Sequence, residues 1–266
     1  MNIVVCVKQV PEPASVDIDP ETGTLVREGV AAVLNPFCEY ALDLAVDLKQ
    51  ACADTRIIAV SMGPPQARAA LTRCLELGAD EAVLASDRRF AGADTWSTAR
   101  ILAGVVRAAV PDFDLILVGK QAVDGDTAQV GPELAEFLGL PQITNGIKAR
   151  IAASRRKIQV KQEVAAGYDR VEMRLPGLVS VSRGRLIRRL PSLKDVLAAR
   201  RKPVSTVCAD NLEMDKTRMG LAGSLTRVVA LFAPPARSEG VKLENMAPEA
   251  AARALVEFLE TDVPEC

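Results

Sequence analysis

The sequence predicts an α/β protein: a parallel sheet flanked by helices in a Rossmann-like, nucleotide-binding arrangement, with additional short antiparallel strands and a C-terminal arm. Three observations carry that expectation. Short Val/Ile-rich runs alternate with helical patterns through four β-then-α units, and such alternation implies a parallel sheet with helices on both faces. After Leu140-Pro141 the pattern changes to strand-like segments with no helix between them. Beyond Ala233-Pro234-Pro235 one amphipathic segment remains.

Each element has its own signal. Residues 2–8 are too uniformly apolar for a half-exposed strand and read as a buried parallel one. Residues 17–27 carry Asp19-Pro20 and Thr22-Gly23 as turn signals and read as an exposed hairpin or loop. Asn35-Pro36 is a helix start, with Asn as the N-cap and Pro in the first turn, and Ala41, Leu44, Ala45 and Leu48 mark its buried face. Residues 56–61 form the second strand. Gly63-Pro64-Pro65 opens a helix buried through Ala67, Ala70, Leu71, Cys74 and Leu75, which Gly78 stops. Residues 81–85 form the third strand. Asp94 caps a helix carrying Ile101, Leu102, Val105 and Val106, ended by Pro111, and Trp96 reads as a packing residue near its start. Residues 114–119 form the fourth strand and 133–138 the helix after it. Residues 142–151, 157–165, 169–175 and 178–182 read as shorter strands, some antiparallel; 192–201 and 248–259 read as helices. Residues 1–225 are expected to form the nucleotide-binding domain and 226–266 the arm.

Composition narrows the chemistry. Of 266 residues, 49% are hydrophobic and the net charge is −1, so a sizeable core forms without a global drive toward nucleic acid or membrane. No apolar run approaches the roughly 20 residues of a membrane helix, and the N-terminus does not read as a signal peptide, so a cytoplasmic location without membrane insertion is expected. The six cysteines form no Cys-x-x-Cys pair, which argues against metal or iron–sulfur ligation. There is no histidine. That removes His-based triads and leaves Asp, Glu, Lys or Tyr for any acid–base work, and it favours a binding or carrier role.

The segment following the fourth strand is the candidate site: Gly119, Lys120, Gln121, Ala122, Val123, Asp124, Gly125, Asp126, Thr127, Ala128, Gln129 and Val130. A polar, Gly-containing loop between a strand's carboxyl end and a helix's amino end is where open α/β sheets bind ligands, and the free N–H groups there favour phosphate. The simpler alternative is a tight connection, with Gly125 as turn chemistry and Asp126 with Gln129 as a capping box. That alternative leaves the density of polar groups unexplained. Asp124 and Asp126 would repel a phosphate, so they must cap backbone or accept from ribose hydroxyls or an adenine amino group. Cys6, Asn35, Pro36 and the segment around Met62 and Gly63 reach the same sheet edge. Neither G-x-G-x-x-G nor G-x-x-x-x-G-K-[ST] is present. The basic run Arg183, Arg185, Arg188, Arg189, Lys194, Arg200, Arg201 and Lys202 is either a solvated face or a docking surface for an acidic protein. Aromatics at 3% make nucleic acid a poor partner.

At Val5-Cys6-Val7-Lys8-Gln9-Val10-Pro11, Asn35-Pro36-Phe37-Cys38-Glu39-Tyr40-Ala41-Leu42, Val60-Ser61-Met62-Gly63-Pro64-Pro65, Gly119 to Asp126 and Gly220-Leu221-Ala222-Gly223-Ser224, the chain resembles the β subunit of electron transfer flavoproteins, the family that includes the FixA proteins. The resemblance implies a heterodimer with a larger α subunit whose FAD accepts and donates electrons. It implies a dehydrogenase partner, acyl-CoA or another flavin dehydrogenase, and ferredoxin or flavodoxin where electrons are bifurcated. In ordinary members the β subunit holds AMP; in bifurcating members it holds a second FAD, where NADH delivers a hydride. The nucleotide-site residues implied are Cys6, Asn35, Pro36, Phe37, Cys38, Met62 and 119–130. The stretches 124–132 and 87–95 look like the FAD-binding branch, and Gly125 with small Ala128 would let a dinucleotide approach the backbone. Asn35-Pro36-Phe37-Cys38 looks closer to the AMP-binding branch. The partner-recognition loop, Leu-Asn-Glu-Pro-Arg-Tyr in most relatives, reads Arg185-Leu186-Ile187-Arg188-Arg189-Leu190 here, so docking is expected through Arg185, Leu186, Arg188 and Arg189. A stand-alone nucleotide-binding sensor is the rival from another class; an acyl- or adenylate-transferring enzyme is disfavoured by the missing phosphate-loop signatures.

Overall fold

Alternation along β1 (Asn2–Val7) decides how the layers form. The computed structural model describes residues 1–12, 32–183, 189–230, 242 and 244–262. Ile3, Val5 and Val7 join one hydrophobic cluster while Val4 and Cys6 join another, as the two-residue period of a strand requires. Buried on both faces, β1 sits inside the sheet, parallel to β4 (Arg56–Met62) and to β6 (Leu115–Gly119). β5 (Glu81–Ala85) and β11 (Val204–Val207) continue the parallel order beyond β4. Beyond β6, β10 (Gly177–Val181) and β7 (Gln142–Ile151) remain parallel, and β8 (Lys157–Val164) and β9 (Gly167–Arg174) close that side as an antiparallel meander. The nine-stranded order is β11-β5-β4-β1-β6-β10-β7-β8-β9. A separate antiparallel pair joins β2 (Gln9–Pro11) to β3 (Ala32–Leu34).

Helices cover both faces. α1 (Pro36–Ala51) and α2 (Arg68–Glu76) pack on the Ile3/Val5/Val7 side; α3 (Thr95–Ala109) and α4 (Val130–Leu138) pack on the other. From β1 the chain moves outward through β4 and β5, then crosses back to place β6 on the opposite side of β1. Strand order therefore reverses between β1 and β6, which is where a crevice opens beyond the strands' carboxyl ends.

The expected architecture is present, with differences that have physical reasons. The antiparallel strands are not short: β7 has 10 residues and β8 and β9 have 8 each, against 5 for β5 and β6. Strands joined by tight turns need no crossover helix, so nothing limits them to the width of a helix layer. The helix expected from Glu133 begins at Val130, because Pro132 is tolerated in a first turn where its missing N–H is no loss. Gly63-Pro64-Pro65 leads into a 3₁₀ turn, Pro65–Ala67, before α2 proper. The edge strand β11 and the small β2–β3 pair carried no readable alternation. The stretch 17–27 lies outside the described residues.

α5 (Leu193–Ala199) starts with a reciprocal capping box between Ser192 and Asp195, and α6 (Gly220–Gly223) is a single turn. Residues Met1–Leu231 form one compact unit and Phe232–Cys266 a second. In the second, α7 (Pro248–Asp262) carries Leu255, Val256, Phe258 and Leu259, each about half exposed within the chain. Among the described residues, no helix is long and apolar enough to cross a membrane, and no cluster of His, Cys, Asp or Glu is arranged to hold a metal.

Candidate functional site

Gly119 ends β6 directly against the first turn of α1. A Cβ there would lie 2.8 Å from the Phe37 carbonyl carbon and 2.9 Å from the Cys38 nitrogen, so only glycine permits the approach. Asn35, 1% exposed, sits at the N-cap of α1, but its side chain does not cap the helix. Its own carbonyl accepts from the N–H groups of Cys38 (2.8 Å) and Glu39 (3.1 Å). The side-chain amide crosses to the loop instead: Nδ2 donates to the Gln121 carbonyl at 2.8 Å and Oδ1 accepts from the Val123 N–H at 3.2 Å. The expected capping role is thus corrected to a clamp between α1 and the loop. Pro36, lacking an N–H, reduces the donors the cap must serve and releases the amide for this role.

The first half of the loop is tied down at several points. Lys120 N–H donates to the Val181 carbonyl at 2.8 Å, and the N–H groups of Gly125 and Asp126 turn back onto the Ala122 carbonyl at 3.2 and 2.8 Å. Lys8 Nζ holds both carboxylate oxygens of Asp124, at 2.7 and 2.8 Å, and Gln121 Nε2 donates to Asp126 Oδ1. Both carboxylates therefore have partners within the chain. Neither caps backbone, and Asp126 with Gln129 is not a capping box, because Gln129 is itself the N-cap of α4 and Asp126 faces Gln121.

The second half differs. Asp126 and Ala128 adopt left-handed φ values of 57° and 56°, and Gln129 returns to the right-handed region at φ −97°. Adjacent left- and right-handed residues turn successive N–H groups toward one side, a geometry that suits an anion. Among the described residues, the N–H groups of Thr127, Ala128, Gln129, Val130 and Gly131 meet no acceptor, and the dipole of α4 adds positive potential there. At Gly125 an added Cβ would meet nothing within 4 Å.

The amino end of α3 flanks these donors. Thr95 Oγ1 lies 3.3 Å from Gln129 Oε1 and 3.2 Å from Glu133 Oε1. Trp96 stacks edge-on against Phe137, with centroids 4.6 Å apart, in the packing role expected of it. Burial acts to raise the Asp94 pKa, but bonds from Ser97, Thr226 and Leu225 together hold its carboxyl below the usual range. The Gly220–Ser224 motif serves this same corner. Gly220, at φ +57°, leaves no room for a Cβ, which would stand 2.3 Å from the Arg89 carbonyl oxygen. Ser224 Oγ accepts from the Asp94 N–H at 2.9 Å, and the Leu225 and Thr226 N–H groups each donate to Asp94 Oδ2 at 2.8 Å.

The cysteines contribute packing. Cys6 is buried in the α3–α4 core; burial pushes its thiol up to about 12, with nearby Cys38 adding to the effect. Only its backbone reaches the sheet edge. Burial also raises Cys38, opposed by the Asn35 amide at 3.2 Å and by the N–H groups of Lys8 and Gly119. Met62, at the end of β4, packs against the α3–α4 core. The structure thus brings Asn35, Pro36, Phe37, Cys38 and the loop together at the β1/β6 crevice, and adds Lys8, Thr95 and Glu133, which the sequence reading had not singled out as site residues.

Of the four residues expected at the docking surface, the described residues include only Arg189. Arg189 donates to Asp43 at 3.3 Å and Asp47 at 3.2 Å on α1, so it is held within its own chain. Arg183 reaches the Tyr168 hydroxyl at 2.6 Å and Lys202 the Ala79 carbonyl at 2.8 Å. Arg185, Leu186 and Arg188 lie outside the described residues. Beside the exposed Lys194, Arg200 and Arg201 this surface also exposes apolar side chains: Leu190 is 82% and Leu193 75% exposed. Two surface cavities of about 270 and 280 Å³ flank α1, and neither includes a residue of the 119–130 loop.

Comparison with known proteins now adds to this geometry. The electron transfer flavoprotein domain matches residues 22–212. The chain is 41% identical to the electron transfer flavoprotein subunit beta of Clostridium acetobutylicum over 98% of both chains. The chain belongs to the electron transfer flavoprotein β-subunit (FixA) family. It is similar also to the caffeyl-CoA reductase–Etf complex subunit CarD of Acetobacterium woodii, at 39% identity over 98% of both chains. Protein FixA of Azotobacter vinelandii is 40% identical over 91% of this chain and 88% of its own. Membership places the chain in electron transfer. Among the described residues, free donors stand at 127–131 of this loop, beside the half that Asn35 clamps. Lys8 was visible inside a quoted family stretch, but nothing in its spacing pointed at Asp124.

Proposed function

We propose that the chain is the β subunit of a heterodimeric electron transfer flavoprotein and binds an adenine nucleotide, FAD in preference to AMP, at the loop leaving β6. The observation that carries this reading is the row of N–H groups from Thr127 to Gly131, which have no acceptor among the described residues and lie at the amino end of α4 beside the β1/β6 crevice. A pyrophosphate is the ligand chemistry that uses such a row. The fit extends to the electrostatics. Asp124 is neutralised by Lys8, and Asp126 is engaged by Gln121, so neither opposes an anion with a bare carboxylate. The open space at Gly125 supports the larger dinucleotide. AMP remains the alternative occupant of the same site.

Within this reading the residues have separate tasks. Asn35 holds the loop against α1, Gly119 lets the two approach, and residues 127–131 bind the phosphates. Bound FAD would supply hydride chemistry with NADH and one-electron chemistry toward other redox centres. The protein supplies binding, orientation and electrostatic tuning. Electrons would pass through the FAD of the α subunit to or from an acyl-CoA or other flavin dehydrogenase, with ferredoxin or flavodoxin as the low-potential acceptor. Similarity to CarD, a subunit of a caffeyl-CoA reductase–Etf complex, supports the dehydrogenase link. Residues 226–266 act as an arm on the partner subunit, and the exposed Leu190 and Leu193 lie on the surface offered to a dehydrogenase.

Bound-nucleotide analysis of the purified complex tests the proposal. Two FAD per heterodimer supports it; one FAD and one AMP removes NADH oxidation from this subunit. Nucleotide retained by the chain without any larger flavin-binding chain would favour the stand-alone sensor.

A further inference from the structure

Glu133 stands in the first turn of α4, and with Gln129 Oε1 turned to Thr95 an ionised Glu133 leaves one acceptor there without a proton. The Thr95 hydroxyl lies between two acceptors, Gln129 Oε1 at 3.3 Å and Glu133 Oε1 at 3.2 Å. A hydroxyl has one proton and can donate to one of them at a time. Glu133 Oε2 is covered and has no hydrogen-bond partner. A carboxylate oxygen in that position carries desolvated charge offset only by the positive end of the α4 dipole, whereas a neutral carboxylic acid carries none. Its proton also completes a chain: Glu133 donates to Thr95, and Thr95 donates to Gln129.

The charged neighbours act in the same direction. Asp94, next to Thr95 at the amino end of α3, is held ionised by its four donors. Arg107, farther along α3, is occupied at the Phe137 carbonyl. On α4 itself Glu136 is exposed and adds no positive charge. β10 offers no titratable residue to α4. On β7, Lys148 lines the cavity beside Tyr40 and Asp47 on the α1 side, and Arg150 bonds Gln159. On the loop, Asp126 is bonded to Gln121. Burial first and Thr95 second act on the Glu133 carboxyl in opposite senses; with Asp94 adding repulsion, the net effect is a pKa raised above the usual value.

We infer that Glu133 is a positioning residue whose neutral form fastens α3 to the N-cap residue of α4, so that protonation of Glu133 strengthens nucleotide binding at the 127–131 donors. This rests on the nucleotide reading of the loop. Linkage fixes the sign for folding, and the nucleotide follows it because the N-cap residue is fastened only in the neutral form. An acid with a raised folded pKa binds more protons folded than unfolded. Its contribution is therefore complete below the ordinary glutamate value and is lost as pH rises through the raised one.

The test uses the full-length chain with its partner subunit, labelled for carboxyl ¹³C NMR, with AMP and FAD binding measured by equilibrium dialysis across the titration. The Glu133 midpoint should lie above the ordinary value of about 4.3, and wild-type affinity should fall about fivefold as pH rises through it, the loss expected for one hydrogen bond. Glu133→Gln, whose amide donates to Thr95 without titrating, should bind with a flat profile. Glu133→Ala should bind weakly at every pH. A midpoint at or below the ordinary value, or identical profiles for wild type and Glu133→Gln, would overturn the inference; the latter would mean that Gln129 instead presents its amide NH₂ to Thr95. A raised midpoint with no nucleotide bound at any pH would sink the nucleotide reading and leave the proton assignment standing.

Discussion

The two halves of the loop leaving β6 are built on opposite principles. Residues 120–126 are anchored through the N–H groups of Lys120, Val123, Gly125 and Asp126, the Gln121 carbonyl and the side chains of Gln121, Asp124 and Asp126, to Val181, Asn35, Lys8 and Ala122 or to each other. Residues 127–131 follow without a break, yet their N–H groups meet no acceptor among the described residues, and two left-handed residues, Asp126 and Ala128, open that stretch. Thr127 and Gln129 are exposed, so their N–H groups are open to solvent or to a ligand, while the clamped half uses its partners to hold the loop to α1 and β10. The difference teaches that the first half is a support and the second is what it supports: donors presented to something outside the chain.

Breaking the support should have the largest effects. Gly119→Ala places a Cβ against the backbone of Phe37 and Cys38, which cannot swing aside as a flexible side chain would. A loss of about 3 kcal/mol is expected in chemical denaturation. Asn35→Leu leaves the Gln121 carbonyl and the Val123 N–H without partners. About 2 kcal/mol of stability should go, and nucleotide with it, because the donor half loses its footing. A stable Asn35→Leu protein with full nucleotide content would mean that the clamp is incidental.

Smaller changes sharpen the contrast. Lys8→Ala removes an ion pair between half-exposed groups; stability should move by less than about 1 kcal/mol, while affinity for an anionic nucleotide falls because Asp124 is left uncompensated. Equal affinity in wild type and variant, measured by dialysis, would remove Lys8 from the site. Ala128→Gly relieves a left-handed alanine, worth about 1 to 2 kcal/mol, against about 0.5 to 1 kcal/mol of added chain entropy. A slight net gain in melting temperature is expected. A loss would indicate that the left-handed geometry at 128 is not strained.

The parallel half of the fold was legible because each strand and helix carries its own periodicity. β1, β4, β5 and β6 and the faces of α1, α2 and α3 lie within a residue or two of where apolar spacing places them. β11 was not legible: Val-Ser-Thr-Val has no pattern of its own, and its pairing with β5 is supplied by residues 122 positions away, as in Val204 with Ala82. The loop's position was readable from the strand–loop–helix order, but its internal division was not. That division depends on Asn35 reaching Gln121 and Val123, on Lys8 reaching Asp124, and on Thr95 reaching Glu133, contacts between residues far apart in the chain. Within the basic run, the engagement of Arg189 was not legible for the same reason: its acidic partners lie on α1.

The most direct test of the central claim replaces Gly125, where an added side chain meets only open space and the fold should not notice it. Nucleotide is extracted and counted from the purified full-length protein with its partner, wild type against Gly125→Trp, beside a melting curve for each. The account predicts one adenine nucleotide lost per chain, with equal melting temperatures once both proteins have been stripped of nucleotide, since bound ligand itself stabilises the wild type. Equal nucleotide content in the two proteins would contradict it.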